Sequence, residues 1–276
     1  MTVPLASIRQ GGARLLKKPF FGRFAGEWHW PKDVEVSRWE RVAIPSDSGV
    51  ALSAVHGPAV DDARGSVVLS HPIGKVAKGF WLRQGHGELF RSLGLNVLAF
   101  DFNGFGESPS GSFDYPADVL AAGHWLRERY PRLPVGAVGA SFGGAWTICA
   151  MARPHPFSAA LVEGAFPTLA QYWRRYPFPY AVLRTMSTLA PDLERGLRPI
   201  DQAGLVVGTP HVTLLYGDAD EITPPTYGEV LLARLRTVAT ARMVTVPGAD
   251  HTFALRDDAD RYKDVAVEFM ASLTEP

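Results

Sequence analysis

The 276-residue chain has a single cysteine, no excess of charge of either sign and no long hydrophobic run. The lone Cys149 cannot form an internal disulfide, and its apolar neighbours in residues 146–151 indicate a buried, unreactive thiol. Twenty-eight basic residues balance twenty-eight acidic ones, so bulk charge cannot hold nucleic acid. No segment approaches the roughly 18 apolar residues that a membrane-spanning helix needs. These absences disfavour a disulfide scaffold, a nucleic-acid-binding protein and a transmembrane protein.

The N-terminus lacks the contiguous apolar core of a secretory signal, which predicts a cytoplasmic location. Residues 1–24 nevertheless hold five basic residues, no acidic residue and several large apolar side chains. Such a segment fits weak contact with an anionic membrane surface, or cover over a hydrophobic edge of its own domain. Pro19 and the pair Gly11 and Gly12 interrupt any long amphipathic helix, which favours the second role. We therefore divide the chain into a basic arm, residues 1–38, and a domain, residues 39–276.

The pattern of apolar residues in that domain predicts an α/β fold. Residues 39–44 and 50–55 are expected to form two leading antiparallel strands. Beyond them, short apolar segments alternate with amphipathic helical segments, which is typical of a mostly parallel sheet of about eight strands with helices on both faces. The further predicted strands are residues 66–70, 96–100, 135–139, 159–162, 211–216 and 241–246, and the predicted helices include residues 78–93, 115–130 and 260–273.

An insertion interrupts this alternation. Nearly fifty residues separate the strand ending at Val162 from the strand beginning at His211, which is more than a simple crossover requires. We predict a small cap over about residues 166–208. Its many aromatic residues fit a lid over a pocket and fit ordinary packing equally well, so the sequence leaves both interpretations open.

One motif places a serine between glycines at a predicted strand-to-helix junction. Residues 139–143 read Gly-Ala-Ser-Phe-Gly and match the pattern G-x-S-x-G, with Ser141 at its centre. A sharp turn of this kind strains the serine backbone and requires neighbours without a Cβ atom. The motif predicts that Ser141 is a nucleophile; the alternative is a glycine-rich turn without chemistry.

A serine hydroxyl needs an adjacent base and a third group that orients the base. Two downstream loops offer both, because His251 follows the strand 241–246 and several carboxylates follow that strand or the strand 211–216. The carboxyl ends of parallel strands share one edge of the sheet, where chemistry gathers. The candidate carboxylates are Asp218, Asp220, Glu221 and Asp250.

From about residue 40 onward, the sequence resembles the α/β-hydrolase family. It is most similar to the branch of serine aminopeptidase-like and monoacylglycerol-lipase-like enzymes. The matching segments are residues 71–74 (HPIG), 101–108 (DFNGFGES), 139–143 (GASFG), 217–220 with Pro224, and 248–251 (GADH). Five motifs in the right order are far more specific than any one of them.

The resemblance implies a catalytic set of Ser141 as nucleophile, His251 as base and Asp220 as orienting acid. The backbone N–H of Phe142, just past the nucleophile, would serve an oxyanion hole, and by resemblance the N–H of Ile73 would be the second donor. Here the sequence departs from the family, because Pro72 stands where a glycine is usual and removes one backbone donor. Residues 101–108 are interpreted as a loop that braces the site.

Together these features predict a serine hydrolase that cleaves a carboxylic ester through an acyl-enzyme, with a hydrophobic acyl or alcohol group. The partner would be a small-molecule ester. Aminopeptidase, amidase and thioesterase activities use the same residues, and a ligand-binding relative without catalysis is the alternative from another class. No dinucleotide fingerprint, Walker loop or metal-binding helix motif is present, so we expect neither a metal nor a cofactor.

Overall fold

The computed structural model describes residues 29–274 except Lys75, residues 190–193, residue 195 and residue 209. The basic segment 1–24 and its predicted contacts, with a membrane surface or with the domain, therefore lie outside the described residues. Within the described part of the chain, no helix has the length and apolar character needed to cross a bilayer.

The core of the fold is one eight-stranded sheet. Its strands lie in the order β1-β2-β4-β3-β5-β6-β7-β8. The pairs β1–β2 and β2–β4 are antiparallel and all other pairs are parallel. The strands are β1 (Glu40–Ser46), β2 (Val50–Gly57), β3 (Gly65–Ser70), β4 (Leu95–Phe100), β5 (Val135–Ala140), β6 (Phe157–Glu163), β7 (His211–Gly217) and β8 (Thr240–Val246).

Helices cover both faces of this sheet. The described helices are α1 (Gly79–Arg83), α2 (His86–Ser92), α3 (Tyr115–Arg129), α4 (Phe142–Met151), α5 (Leu169–Tyr172), α6 (Pro177–Leu189), α7 (Pro199–Gln202), α8 (Pro225–Leu235), α9 (Ala254–Asp257) and α10 (Ala259–Ser272). Two short 3₁₀ helices cover Val36–Arg38 and Ala203–Leu205.

The buried residues divide between the two faces. One cluster joins α3, α4 and α8 to the sheet, and the other joins α1, α2 and α10 to the opposite face. The central strands β3, β4 and β5 are buried at every position, as strands covered on both faces should be. The predicted α/β-hydrolase fold is confirmed.

One predicted element is wrong. Residues 78–93 form two helices, α1 and α2, rather than one continuous helix. Gly85 separates them with a φ of 81°, which is in the left-handed region that ends a right-handed helix. Apolar periodicity runs across this break because both helices pack on the same face of the sheet, so periodicity alone could not locate it.

The segment between β6 and β7 contains α5, α6 and α7. Its aromatic residues divide into two groups: Phe166 and Trp173 are buried, whereas Tyr176 and Phe178 are exposed by 57% and 79%. The ring of Tyr172 lies 4.9 Å from that of Phe166. The first part of the segment therefore packs on the domain, and α6 presents large apolar side chains to solvent.

Candidate active site

The turn between β5 and α4 holds Ser141 in a strained conformation, with φ of 50° and ψ of −110°. Left-handed backbone is uncommon for a residue with a side chain. A Cβ atom at Gly143 would overlap the backbone carbonyl of Ser70, and one at Gly139 would lie 2.7 Å from the backbone of Gly143. Both glycines of the motif are therefore needed for the close approach of β3, β5 and α4.

His251 lies in the turn that follows β8, on the same edge of the sheet. Its Nε2 atom is 2.9 Å from the Oγ atom of Ser141. The neighbouring Thr252 has a φ of 59°, and the Asp250 side chain accepts the backbone N–H of His251 at 2.7 Å. Serine and histidine are 110 residues apart in the chain, and the parallel sheet brings them into contact.

The side chain of Asp220, in the loop after β7, completes the arrangement. Its Oδ2 atom lies 2.8 Å from Nδ1 of His251 and accepts the hydroxyl of Thr223 at 2.6 Å. Its Oδ1 atom accepts the backbone N–H groups of Ile222 and Thr223, both at 2.8 Å. Burial of the Asp220 carboxylate opposes ionisation, but hydrogen bonds from His251 and Thr223 outweigh it and lower the pKa of Asp220.

The other carboxylates considered from the sequence make different contacts. Asp218 accepts the backbone N–H of Gly248 at 2.6 Å. Glu221 forms an exposed ion pair with Arg175 at 2.8 Å. Among the four candidates, Asp220 is the carboxylate that the fold brings to the imidazole of His251.

The two residues predicted for the oxyanion hole lie on neighbouring segments. Phe142 is the first residue of α4, and its buried ring packs 5.7 Å from Phe102 and 5.1 Å from Trp146. Ile73 lies in the loop after β3 and is half-buried. The contact between Gly143 and Ser70 places the start of this loop against the turn that holds Ser141.

His71 fixes the start of the loop that contains Ile73. Burial lowers the pKa of His71 to about 4, so the ring is neutral at neutral pH. Its Nδ1 is 2.7 Å from the carbonyl of Pro72 and its Nε2 is 3.1 Å from the backbone N of Phe102. A carbonyl can only accept and an N–H can only donate, so the proton is on Nδ1.

The loop 101–108 contains a buried ion cluster that the sequence did not reveal. Lys78, with no exposed surface, places its Nζ 2.5 Å from Asp101, 2.9 Å from Glu107 and 3.1 Å from the hydroxyl of Ser53. A Cβ atom at Gly106 would overlap the Asp101 carboxylate, so glycine is required there. The cluster ties the loop after β4 to β2 and to the residue before α1.

Two further polar residues at the site were missed. The Thr223 hydroxyl lies 3.0 Å from Nδ1 of His251 in addition to its bond to Asp220. Glu163, the last residue of β6, is 3% exposed, and its side chain accepts the backbone N–H of Ala254 at 3.0 Å. A threonine three residues past an acid and a glutamate at a strand end carry no motif, although a charged residue closing an apolar strand is a signal that could have been used.

The segment between β6 and β7 contacts the loop of Asp220. Arg175 pairs with Glu221 in that loop. The Tyr227 hydroxyl, at the start of α8, donates to the carbonyl of Gln171 at 3.3 Å, and the Arg174 guanidinium lies 5.4 Å from the Tyr227 ring. These contacts place α5 beside the edge of the sheet that carries Ser141, His251 and Asp220.

The fold and the turn at Ser141 define an α/β-hydrolase. The family model of the prolyl oligopeptidase family matches residues 114–274, more than half of the chain. The chain therefore belongs to the prolyl oligopeptidase family, within the superfamily that the sequence motifs indicated. The narrower resemblance to serine aminopeptidase-like and monoacylglycerol-lipase-like enzymes stays a prediction.

Among curated proteins, the chain is 30% identical over 166 residues to the uncharacterized protein Rv2307c of Mycobacterium tuberculosis. The match covers 58% of this chain and 54% of that protein, so the chain matches about half of its relative's length.

Two solved structures with a similar fold are an esterase and a peptidase. The Pyrococcus furiosus esterase Pf2001 superposes with a TM-score of 0.71 at 20% identity, covering 90% of this chain and 94% of that chain. A puromycin-hydrolyzing peptidase of Mycobacterium tuberculosis superposes with a TM-score of 0.66 at 19% identity, covering 89% of this chain and 41% of that chain. At these identities the likeness concerns the fold.

Proposed function

We propose that the protein is a serine hydrolase that cleaves carboxylic esters through an acyl-enzyme. The observation that carries the proposal is the continuous chain of contacts from Ser141 Oγ to His251 Nε2, at 2.9 Å, and from His251 Nδ1 to Asp220 Oδ2, at 2.8 Å. These are hydrogen-bond distances for a nucleophile, a base and an orienting acid.

In the proposed mechanism the Nδ1–H group of His251 donates a hydrogen bond to the carboxylate of Asp220, which leaves Nε2 free to accept the proton of the Ser141 hydroxyl. The serine oxygen attacks the carbonyl carbon of the ester, and His251 then donates that proton to the leaving alcohol. A water molecule, deprotonated by the same imidazole, attacks the acyl-enzyme and regenerates Ser141. The imidazolium formed in each step is stabilised by the low-pKa carboxylate of Asp220.

The negative charge on the tetrahedral intermediate requires nearby N–H donors. The proposed donors are the backbone N–H groups of Phe142 and Ile73. Pro72 precedes Ile73 and has no N–H, so Ile73 supplies the donor of this loop closest to His71 in sequence. The hydrogen bonds of the His71 ring support this role, since they connect the start of the loop to the Pro72 carbonyl and to the backbone of Phe102.

The surroundings of Ser141 favour a hydrophobic substrate. Phe142, Trp146 and Phe166 form a continuous buried aromatic cluster with Tyr172, and α5 lies beside the Asp220 loop. The rings of Phe142, Trp146 and Phe166 belong to the core, whereas Tyr172 and Ile73 are partly exposed and are the apolar side chains available to a substrate. Apolar walls with a few fixed polar groups are typical of sites for small organic ligands. An ester with a hydrophobic acyl or alcohol group is the proposed substrate class.

Peptide or aminoacyl amide hydrolysis is the second candidate function. The observation that favours it is membership in the prolyl oligopeptidase family, together with likeness in fold to a puromycin-hydrolyzing peptidase. The same three side chains serve both reactions, because amide and ester hydrolysis share the acyl-enzyme route. The relative turnover of ester and amide substrates would separate them.

Steady-state kinetics test the proposal. The substrates are p-nitrophenyl esters with acyl chains of two to sixteen carbons and a matching set of aminoacyl p-nitroanilides. The proposed function predicts higher kcat/KM for esters, rising with chain length, and loss of turnover in Ser141→Ala with an unchanged circular dichroism spectrum. Preference for the anilides would support the second candidate, and equal turnover by Ser141→Ala would refute both.

A further inference from the structure

Glu163 occupies a position between the two segments that carry the nucleophile and the base. We infer that Glu163 is a positioning residue, whose carboxyl group anchors the turn of His251 to the strand beside Ser141. This inference rests on the proposed function for its kinetic consequences. Its structural part, the anchor itself, does not depend on any activity.

The backbone of Glu163 contacts the nucleophile turn. Its carbonyl oxygen accepts the N–H of Ser141 at 2.7 Å, and it pairs in register with Ala140 of β5 and Leu215 of β7. The carbonyl bond continues the β5–β6 ladder one residue past the strand. Glu163 is thereby fixed by central strands on both sides, which makes its side chain a rigid attachment point.

The side chain of Glu163 contacts the turn of the base. Oε1 accepts the N–H of Ala254, the first residue of α9 and three residues past His251. The first N–H groups of a helix have no partner within the helix, so this carboxyl oxygen supplies one. Because Thr252 between them has left-handed backbone, the turn from His251 to α9 benefits from an external anchor.

The next residue reinforces the same contact. Gly164 has a φ of 59°, and a Cβ atom there would lie 3.1 Å from the Thr223 hydroxyl and 3.4 Å from the His251 ring. The backbone leaving Glu163 therefore runs directly under the imidazole. The end of β6, the imidazole of His251 and the hydroxyl of Thr223 therefore pack against one another.

The charge of Glu163 also acts on the base. Burial raises the pKa of Glu163 to about 7, so the carboxyl group changes charge near neutral pH. The ionisable groups whose charges act on it are His251, Asp220 and Asp257, and the phenol of Tyr262 is coupled to it from α10. An ionised Glu163 would favour the imidazolium that forms during proton transfer, whereas a protonated one would keep only the anchor.

Two substitutions separate the anchor from the charge. Glu163→Gln keeps an acceptor oxygen for Ala254 and removes the charge, whereas Glu163→Leu removes both at similar volume. The matched control is Glu268→Gln, which changes an exposed glutamate of α10 paired with Arg242, near the start of β8 and so at the opposite end of that strand from His251. Each variant is compared with the wild type for p-nitrophenyl ester turnover between pH 5.5 and pH 8.5.

The anchor predicts that Glu163→Leu lowers kcat/KM by about tenfold or more at every pH, because small displacements of a base are costly in rate. Glu163→Gln should match the wild type within about twofold at pH 5.5 and fall about fivefold below it at pH 8.5, where only the wild type carries the charge. A uniform loss in Glu163→Gln equal to that in Glu163→Leu would overturn the inference. Wild-type rates in Glu163→Leu would do the same.

Hydrogen exchange provides a readout without substrate. The amide of Ala254 should exchange faster in Glu163→Leu than in the wild type and Glu163→Gln, and unchanged exchange in Glu163→Leu would overturn the anchor. If the wild type hydrolyses neither esters nor anilides, the proposed function fails, and the exchange measurement alone then decides whether the anchor exists.

Discussion

Replacement of Glu163 by glutamine should make the stability of the protein less dependent on pH. Burial raises the pKa of Glu163 from its ordinary value of 4.5 to about 7. Between these pH values the folded protein keeps a proton on Glu163 that the unfolded chain has released, so the stability conferred by the neutral carboxyl is present at low pH. It is lost as the pH rises through about 7.

The size of this effect follows from the shift in pKa. Each pKa unit corresponds to about 1.4 kcal/mol, so about 3 kcal/mol of the free energy of unfolding is lost between pH 4.5 and pH 8. Glutamine resembles the neutral carboxyl at every pH and cannot titrate. The free energy of unfolding of Glu163→Gln relative to the wild type should therefore rise by about 3 kcal/mol over this range.

Urea denaturation at pH 4.5, 6 and 8, followed by tryptophan fluorescence, measures this difference. The chain contains seven tryptophans, and unchanged m-values would show that the comparison concerns stability alone. Glu268→Gln, with its exposed side chain, should follow the wild type at each pH. If the free energies of unfolding of Glu163→Gln and the wild type changed in parallel with pH, the reasoning would be refuted, because Glu163 would then titrate with its ordinary pKa.

Three other substitutions test the contacts around the site. Lys78→Met leaves Asp101 buried without its cation and should lower the free energy of unfolding by about 3–5 kcal/mol. A Lys78→Met variant with the same Tm as the wild type would contradict this. Thr223→Val removes the hydroxyl bonded to Asp220 and should lower kcat/KM about tenfold with the fold intact, whereas wild-type kinetics would show that this hydroxyl is dispensable. Gly143→Ala introduces a Cβ atom against the Ser70 carbonyl and should destabilise the protein by about 1–3 kcal/mol, so a variant of wild-type stability in urea would argue against the close approach.

The sequence predicted most of the sheet because its strands are short, apolar and regularly spaced. All eight predicted strands overlap the strands of the structure, and the parallel pairing follows from the helices between them. The helix break at Gly85 was missed, since glycine within a helical pattern is compatible with either continuation or termination. The role of the basic arm, residues 1–38, stays a prediction. The bounds of the cap, about residues 166–208, also stay a prediction.

The contacts of Ser141, Asp220 and His251 were predictable because each residue follows a strand of one parallel sheet, and parallel strands end at one edge. Lys78 and Glu163 escaped because their partners, Asp101 and Ala254, lie in distant segments. Thr223 escaped because a threonine three residues past an acid carries no motif. Lys78 even falls within a segment predicted as helix, and its role depends on burial against the loop after β4.

Covalent labelling tests the central claim most directly. The full-length protein is treated with a fluorophosphonate, digested and examined by mass spectrometry, beside His251→Ala and heat-denatured protein. The account predicts one phosphonyl group on Ser141 of the native protein, with little or none on Ser141 in His251→Ala or after denaturation. A native protein whose Ser141 stays unlabelled, or one labelled equally fast without the imidazole of His251, would contradict the account.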